Sequence, residues 1–242
     1  MDQHLYIISG ASRGLGRAMA EQLAASGATV LGLSRQAPSA GFEQWPCDLA
    51  DSVPVAERLA AWLGAFDASR FASASLINNA AMLIEPAPLA AVDFSALSQA
   101  TRVGLEAPLV LTAAFLRATQ SWPGRRRVLH ISSGLGRRGM ASSGPYCAVK
   151  AGLDNLARAQ ALEEALQPNG AKVCSLAPGI IDTDMQVQLR GADAKAFPDR
   201  EAFVQMKSGG KLDSPAAAAD KVIGYLHRTD FGSIPVDDAR DA

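Results

Sequence analysis

A short apolar run, Leu5 to Ile8, leads directly into a glycine-rich stretch from Ser9 to Gly16, and an Ala-rich segment follows to about Ser26. This order predicts a strand, a tight turn and a helix. Glycines let the backbone approach a pyrophosphate, and the helix N-terminus supplies N–H donors and the positive end of its dipole. The spacing G-x-x-x-G-x-G therefore predicts a dinucleotide site. The predicted contacts in the turn are Gly10, Ser12, Arg13, Gly14, Leu15 and Gly16.

The second predicted strand, Thr29 to Leu33, ends in Ser34-Arg35. A residue at this point faces the adenosine ribose, and an acidic side chain there would bond a free 2′-hydroxyl. None is present, whereas Arg35 together with Arg13 suits a 2′-phosphate. The sequence therefore favours NADP(H) over NAD. Asp48 and Leu49, which follow the next short strand, are candidate contacts to the adenine.

Strands and helices alternate along the rest of the chain. Further strands are predicted at 43–46, 74–77, 128–133 and 172–176, and helices at 55–63, 94–119, 145–166 and 215–227. The pattern predicts an α/β fold: a single doubly wound Rossmann domain spanning 1–242, with a mostly parallel sheet of about seven strands. The polar, irregular stretch 184–212 is interpreted as a mobile lid over the site.

Composition argues against several classes of partner. A formal net charge of −1 with 19% charged residues gives no general attraction to nucleic acid or to an anionic membrane. The one basic run, Arg125 to Arg127, is interpreted as the solvated start of a strand. Three scattered cysteines predict reduced thiols in the cytoplasm and no metal site. No stretch reaches the roughly 18 apolar residues of a membrane span, and no export signal is visible.

Tyr146 and Lys150 are four residues apart, so a helix would place both side chains on one face. A phenol has a pKa of about 10. A neighbouring ammonium favours the phenolate, which would let the pair exchange a proton during catalysis. Ser133, at the carboxyl end of the predicted 128–133 strand, would polarise the carbonyl that Tyr146 protonates. The sequence thus predicts Ser133, Tyr146 and Lys150 as the catalytic residues.

With these motifs in order, the chain resembles the short-chain dehydrogenase/reductase family over essentially its whole length. The resemblance rests on the glycine turn, Asn78-Asn79-Ala80, Ser133, Tyr146-x-x-x-Lys150 and Pro178-Gly179 leading to Thr183. It implies that Ser133 orients the carbonyl, that Tyr146 is the general acid/base, and that Lys150 lowers its pKa and holds the nicotinamide ribose. The further cofactor contacts that it implies are Asn79, Ala80, Tyr146, Lys150, Pro178, Gly179, Ile181 and Thr183.

Within the family, the stretches 144–147 and 177–186 look like the sepiapterin reductase and benzil reductase branch. The implied activity is NADPH-dependent reduction of a ketone, a dicarbonyl or a pterin side-chain carbonyl. Either Asp237 or Asp238 corresponds to the carboxylate with which sepiapterin reductases hold the pterin, or both belong to a solvated tail. Arg137 and Arg138 are interpreted as solvated rather than as contacts to an anionic substrate. Family resemblance also implies a homodimer or homotetramer through the helices 94–119 and 145–166.

Two positions depart from the family pattern. Ala81 replaces the usual glycine, and Gly104 stands where the long central helix normally carries an asparagine that supports a proton-relay water. That water bonds a backbone carbonyl, which glycine keeps, and glycine permits a local helix distortion. We therefore expect reduced or retained activity. The alternative is an NADP(H)-binding regulatory protein with little turnover. An enzyme acting on nucleotide sugars would need a larger C-terminal region than follows Thr183.

Overall fold

Seven parallel strands form one sheet in the computed structural model, which describes residues 3–38 and 41–240. The strand order is β3-β2-β1-β4-β5-β6-β7, and every neighbouring pair is parallel. This confirms the predicted doubly wound α/β fold. The strands are β1 (Gln3–Ser9), β2 (Thr29–Ser34), β3 (Glu43–Pro46), β4 (Phe71–Asn78), β5 (Arg125–Ile131), β6 (Lys172–Ala177) and β7 (Val236–Asp238).

Helices cover both faces of this sheet. They are α1 (Gly14–Ala25), α2 (Ser52–Gly64), α3 (Phe94–Thr101), α4 (Ala107–Ala118), α5 (Gly144–Ala165), α6 (Asp184–Gly191), α7 (Arg200–Ser208) and α8 (Pro215–His227). Alternate residues of β1 enter opposite cores: Leu5 and Ile7 pack with α2 and α4, whereas Tyr6 and Ile8 pack with α1 and α8. Burial on both faces explains why the run is continuously apolar.

The chain reverses its winding between β1 and β4, which are sequence-distant neighbours in the sheet. The loops after these strands separate at this point and leave a crevice at the carboxyl edge of the sheet, where such folds bind ligands. The glycine turn follows β1, and Asn79 follows β4. The topology thus brings two predicted cofactor-binding segments to one place.

An aromatic cluster fills part of one core. Trp45, Trp62, Phe66, Phe71 and Trp122 form a connected set of rings. Trp62 and Phe66 meet edge to face with their centroids 4.7 Å apart, and Phe71 stacks on Trp122 at 5.5 Å. These contacts tie β3, α2, β4 and the segment before β5 into one unit.

The interpretation of Arg125 to Arg127 as a solvated strand start is wrong for two of the three residues. All three belong to β5, and Arg126 and Arg127 are buried. Arg126 donates to the carbonyl oxygen of Asn169 and pairs with Glu164 at 3.3 Å. Burial is therefore compensated by a carbonyl and a carboxylate that approach from the end of α5.

The predicted irregular stretch 184–212 contains the two helices α6 and α7. Leu189, Ala192 and Phe197 form a small core there, and Leu83 and Met140 pack against it. The stretch therefore lies on the loops that follow β4 and β5, and its role as a lid stays a prediction. In the ranges 3–38 and 41–240, no helix combines the length and the apolar character that a membrane crossing requires.

Candidate active site

The glycine turn is held by its own backbone and by the end of β4. Gly10 and Gly14 have φ values of +72° and +57°, which disfavour residues with a side chain. The Ser9 hydroxyl accepts hydrogen bonds from the backbone N–H groups of Asn79 and Ala80. The Asn79 side-chain amide donates to the carbonyl oxygens of Ser9 and Gly10, at 2.9 and 3.3 Å. Asn79 thus shapes the turn from within.

Gly16 allows α1 to begin directly against this turn. A Cβ atom at Gly16 would lie 2.3 Å from the Gly10 carbonyl oxygen and 2.4 Å from the Asn79 side-chain nitrogen. Real Cβ atoms do not approach so closely, so only glycine fits. The first turn of α1 consequently points its free N–H groups into the crevice, where they can bind a pyrophosphate.

The predicted ribose contacts lie at the surface of the crevice. Arg35 is exposed just after β2. Arg13 is also exposed, and its guanidinium donates to the carboxylate of Asp184 at 2.8 Å. Leu49 is buried, whereas Asp48 is exposed and accepts from the backbone N–H of Ala50. Both arginines are thus accessible from solvent, and their contact with a 2′-phosphate stays a prediction.

The loop after β6 closes the same crevice from the other side. Gly179 has a φ of +90°, and Ile181 forms a parallel bridge with Asp213. Thr183 lies beside the glycine turn, since a Cβ atom at Gly14 would be 3.5 Å from its methyl carbon. Pro178, Gly179, Ile181 and Thr183 therefore lie on a segment that runs from the end of β6 to the glycine turn.

The structure brings Ser133, Tyr146 and Lys150 together. Ser133 follows β5 and bonds the Tyr146 hydroxyl, while its own oxygen accepts from the Leu135 backbone N–H at 3.2 Å. Tyr146 lies in the first turn of α5, and the Lys150 Nζ is 5.5 Å from its ring centroid. Lys150 donates to the Ile131 carbonyl oxygen at 2.7 Å, which fixes its side chain against the end of β5.

Burial dominates the electrostatics of this group. It raises the pKa of Tyr146 to about 12, although the hydrogen bond with Ser133 lowers it. Burial also lowers the pKa of Lys150 to about 8, and the nearby Asp154 carboxylate opposes this change. The net shift at Tyr146 is thus upward, whereas Lys150 was expected to lower its pKa. Tyr146 is a protonated phenol at neutral pH, the form that can give a proton to a carbonyl oxygen.

Gly104 lies in a π-helical turn, Arg102–Glu106, that separates α3 from α4. The predicted helix 94–119 is therefore interrupted at the residue that departs from the family pattern. A Cβ atom at Gly104 would lie 2.6 Å from Cγ1 of Val149, the residue before Lys150. Sequence reasoning missed this contact because nothing local links the two positions. Val149 occupies the space that a larger residue at position 104 would need.

Gly104→Asn is expected to destabilise the protein by about 1–3 kcal/mol, because it overpacks the contact with Val149. Val149→Ala in the same chain removes the colliding Cγ1 atom and should recover most of that loss. Urea unfolding of the two single variants and the double variant measures the coupling. Additive losses in the double variant would contradict this account of the contact.

The surface beside Tyr146 is mostly apolar. A small cavity there is lined by Met82, Leu83, Ile84, Val92, Ala100 and Val149, with Glu85, Ser142, Ser143 and Pro145 at its other walls. Asp238 is buried and bonds the Arg240 guanidinium, and Asp237 accepts from the Tyr225 hydroxyl at 2.6 Å. The alternative that both aspartates belong to a solvated tail is therefore wrong.

The fold and the site together define an oxidoreductase that uses a nicotinamide dinucleotide and acts on CH–OH or C=O groups. The family described as short chain dehydrogenase matches residues 4–194. The chain belongs to this family, whose enzymes act on small molecules, and the resemblance predicted from the motifs is confirmed.

Individual relatives point in the same direction. The chain is 31% identical over 235 residues to a benzil reductase ((S)-benzoin forming) of Bacillus cereus, covering 93% of this chain and 94% of the relative. It is 32% identical over 247 residues to the sepiapterin reductase of Mus musculus, covering 94% and 93%. A putative NAD(P)-dependent gluconate 5-dehydrogenase from Beutenbergia cavernae, solved with bound NADP at low occupancy, is 27% identical with a TM-score of 0.78, covering 99% and 96%.

Proposed function

We propose that the protein is an NADPH-dependent carbonyl reductase that transfers hydride to a ketone or dicarbonyl. The observation that carries this proposal is the contact of Ser133 with Tyr146, with Lys150 one helical turn further along α5. When bound, the nicotinamide supplies the hydride. Ser133 and Tyr146 bond the carbonyl oxygen, and Tyr146 delivers the proton that completes the alcohol.

An apolar neutral carbonyl compound fits the surroundings of Tyr146 best. Met82, Leu83 and Ile84 line one side, and the helices α6 and α7 pack over Leu83. The similarity to benzil reductases supports an aromatic diketone as substrate. A pterin side-chain carbonyl is the second candidate, supported by the similarity to sepiapterin reductases. Asp237 and Asp238 already hold Tyr225 and Arg240, which argues for the diketone.

This function is tested by measuring the oxidation of NADPH through its absorbance, with benzil, sepiapterin and a simple quinone as substrates. NADH serves as the comparison cofactor. Turnover of a carbonyl compound with a preference for NADPH supports the proposal. Tight NADPH binding without oxidation of any compound would instead favour the regulatory protein. The π turn at Gly104 is the one observation on the side of that alternative.

Cofactor preference gives a separate prediction. Arg35→Ala is expected to raise the KM for NADPH about 10- to 100-fold, because a charge-assisted bond to the 2′-phosphate contributes about 1.5–3 kcal/mol. The KM for NADH should change little, because NADH has no phosphate there. Arg125→Ala removes an exposed arginine from the other end of the sheet and serves as the matched control. An equal rise for both cofactors would contradict the assignment.

Self-association through α4 and α5 belongs to the same proposal. Leu109 on α4 and Leu162 on α5 are exposed, and Leu166 just beyond α5 is 83% exposed. Burying such side chains against a second copy would remove apolar surface from water. The residues support a homodimer, or a tetramer built from it.

A further inference from the structure

Asp154 is a buried carboxylate on the same helix as the predicted catalytic residues Tyr146 and Lys150. It lies on α5 four residues after Lys150, so both project from one side of the helix, and it is 2% exposed. Burying a carboxylate is costly unless it is bonded or paired with opposite charge. The contacts of Asp154 therefore indicate which groups compensate its buried negative charge.

One oxygen of Asp154 holds two strands. Its Oδ1 accepts from the Ser132 hydroxyl at 2.6 Å and from the Ser175 hydroxyl at 2.7 Å. Ser132 is the residue before Ser133, and Ser175 lies on β6. The carboxylate consequently fixes the backbone from which the catalytic serine projects, relative to the helix that carries Tyr146 and Lys150.

The other oxygen of Asp154 lies near the guanidinium of Arg137. Within the described ranges, Oδ2 accepts no hydrogen bond, and it lies 3.5 Å from the Arg137 Nε. Gly136 brings the loop this close, since a Cβ atom there would be 2.7 Å from Oδ2 and 3.0 Å from the Lys150 carbonyl oxygen. Arg137 continues to β7, where it donates to the Asp237 carbonyl oxygen and lies 3.6 Å from Asp238.

We propose that Asp154 is a positioning residue for the reaction: its carboxylate sets the geometry of Ser133 through Ser132 and keeps Lys150 in the ammonium form, with Arg137 as the opposing cation. This inference rests on the proposed reductase function only for its kinetic consequence. The effect of Asp154 on the titration of Lys150 can be measured without substrate or cofactor. Without Asp154, the buried Lys150 would lose a nearby negative charge, whereas Arg137 would keep its contact with Asp238.

The other titratable groups around Asp154 stay neutral across the relevant pH range. Burial lowers the pKa of His130 on β5 to about 4 and raises the pKa of Cys174 on β6 to about 11. The charged groups on this side are then Lys150 on α5, Arg137 in the loop, and Asp237 and Asp238 on β7 with Arg240 beside Asp238. A change in the titration of Lys150 thus reports on Asp154 and Arg137.

The test is an NMR titration of protein labelled with ¹³C-lysine, in which Lys150→Met identifies the Lys150 resonance. Asp154→Asn keeps the shape and the acceptor oxygen but removes the charge, and should lower the Lys150 midpoint by about one pH unit. Arg137→Gln should raise it, because it removes a cation and leaves Asp154 unopposed. Opposite shifts are the signature of charge, since a merely structural defect has no reason to change sign with the substitution.

Ser175→Ala is the matched control, because it removes a hydrogen bond to the same carboxylate without changing any charge. It should lower thermal stability and leave the Lys150 midpoint in place. Midpoints that agree with wild type in both charge variants would overturn the proposal. Should Asp154→Asn fail to fold, the half-exposed Arg137 still provides the test: an unchanged or lowered midpoint in Arg137→Gln would refute it.

Kinetics provides the second readout. In Asp154→Asn, the alkaline limb of kcat for carbonyl reduction should move to lower pH, because loss of a nearby negative charge lowers the pKa of Lys150. In Arg137→Gln it should move to higher pH. A wild-type protein that reduces no carbonyl compound would refute the proposed function, while the NMR titration would still decide the role of Asp154.

Discussion

Replacing Tyr146 by phenylalanine is expected to lower kcat for carbonyl reduction by about 10²- to 10⁴-fold, the usual contribution of a positioned proton donor. Phenylalanine keeps the ring that lies 5.5 Å from the Lys150 Nζ and removes only the hydroxyl. Since this hydroxyl is protonated at neutral pH and bonds Ser133, its loss removes the proton source and half of the carbonyl's hydrogen bonds. The rate of NADPH oxidation with a diketone measures the effect.

NADPH binding separates a chemical defect from a folding defect. The dissociation constant of Tyr146→Phe, measured by NADPH fluorescence, should stay within a few-fold of wild type, because the substitution leaves the glycine turn and Arg35 unchanged. Carbonyl reduction at the wild-type rate in Tyr146→Phe would contradict the proposed mechanism.

Gly16→Ala is expected to weaken NADPH binding by about 100-fold or more, the scale of loss that a displacement of about 1 Å produces in a precise site. The added Cβ would collide with the Gly10 carbonyl oxygen at 2.3 Å, so α1 must move away from the turn. Its N-terminal N–H groups would then no longer point at the pyrophosphate. Isothermal titration with NADPH measures the loss.

Gly64→Ala makes the same chemical change at the end of α2, where the added Cβ has no neighbour within 4 Å apart from the adjoining residues and backbone of α2 itself. It should bind NADPH as wild type does, with equal or slightly higher stability, because alanine restricts the unfolded chain. Wild-type affinity in Gly16→Ala would show that the close approach at the turn is not required for binding.

The strand–turn–helix at the N-terminus shows how far local pattern determines this fold. A continuous apolar run needs burial on both faces, and glycines without side chains permit the close packing that follows. β3, β6 and α8 are likewise close to their predicted limits, and Ser214 caps α8 by accepting from Ala217. For each of these elements the local sequence pattern was sufficient to place the limits.

Elements decided by distant contacts were predicted less well. β5 begins at Arg125, earlier than the predicted start at 128, and its buried Arg126 contacts Glu164 and Asn169, about 40 positions further on in the numbering. The helices α6 and α7 are largely polar, which makes them look like an irregular stretch in the sequence, and they pack on Leu83 and Met140. These partners are brought together only by the folded chain.

The candidate site divides in the same way. The spacing of Tyr146 and Lys150 on one helix identifies them in the sequence, and Asp154 lies one further turn along the same helix. This spacing is visible in the sequence, but the hydrogen bonds that Asp154 accepts come from Ser132, just after β5, and from Ser175 on β6. The contact between Gly104 and Val149 likewise depends on how two helices meet.

All three tryptophans of the chain belong to the aromatic cluster beside β3, α2 and β4. Intrinsic fluorescence of this protein is therefore a regional reporter: its emission follows the order of that one core and carries no signal from a tryptophan near Tyr146 or on α6 and α7. A shift of the emission spectrum on heating would report the temperature at which this region unfolds. Comparison with circular dichroism would show whether the layer holding α1 and α8 unfolds at the same temperature.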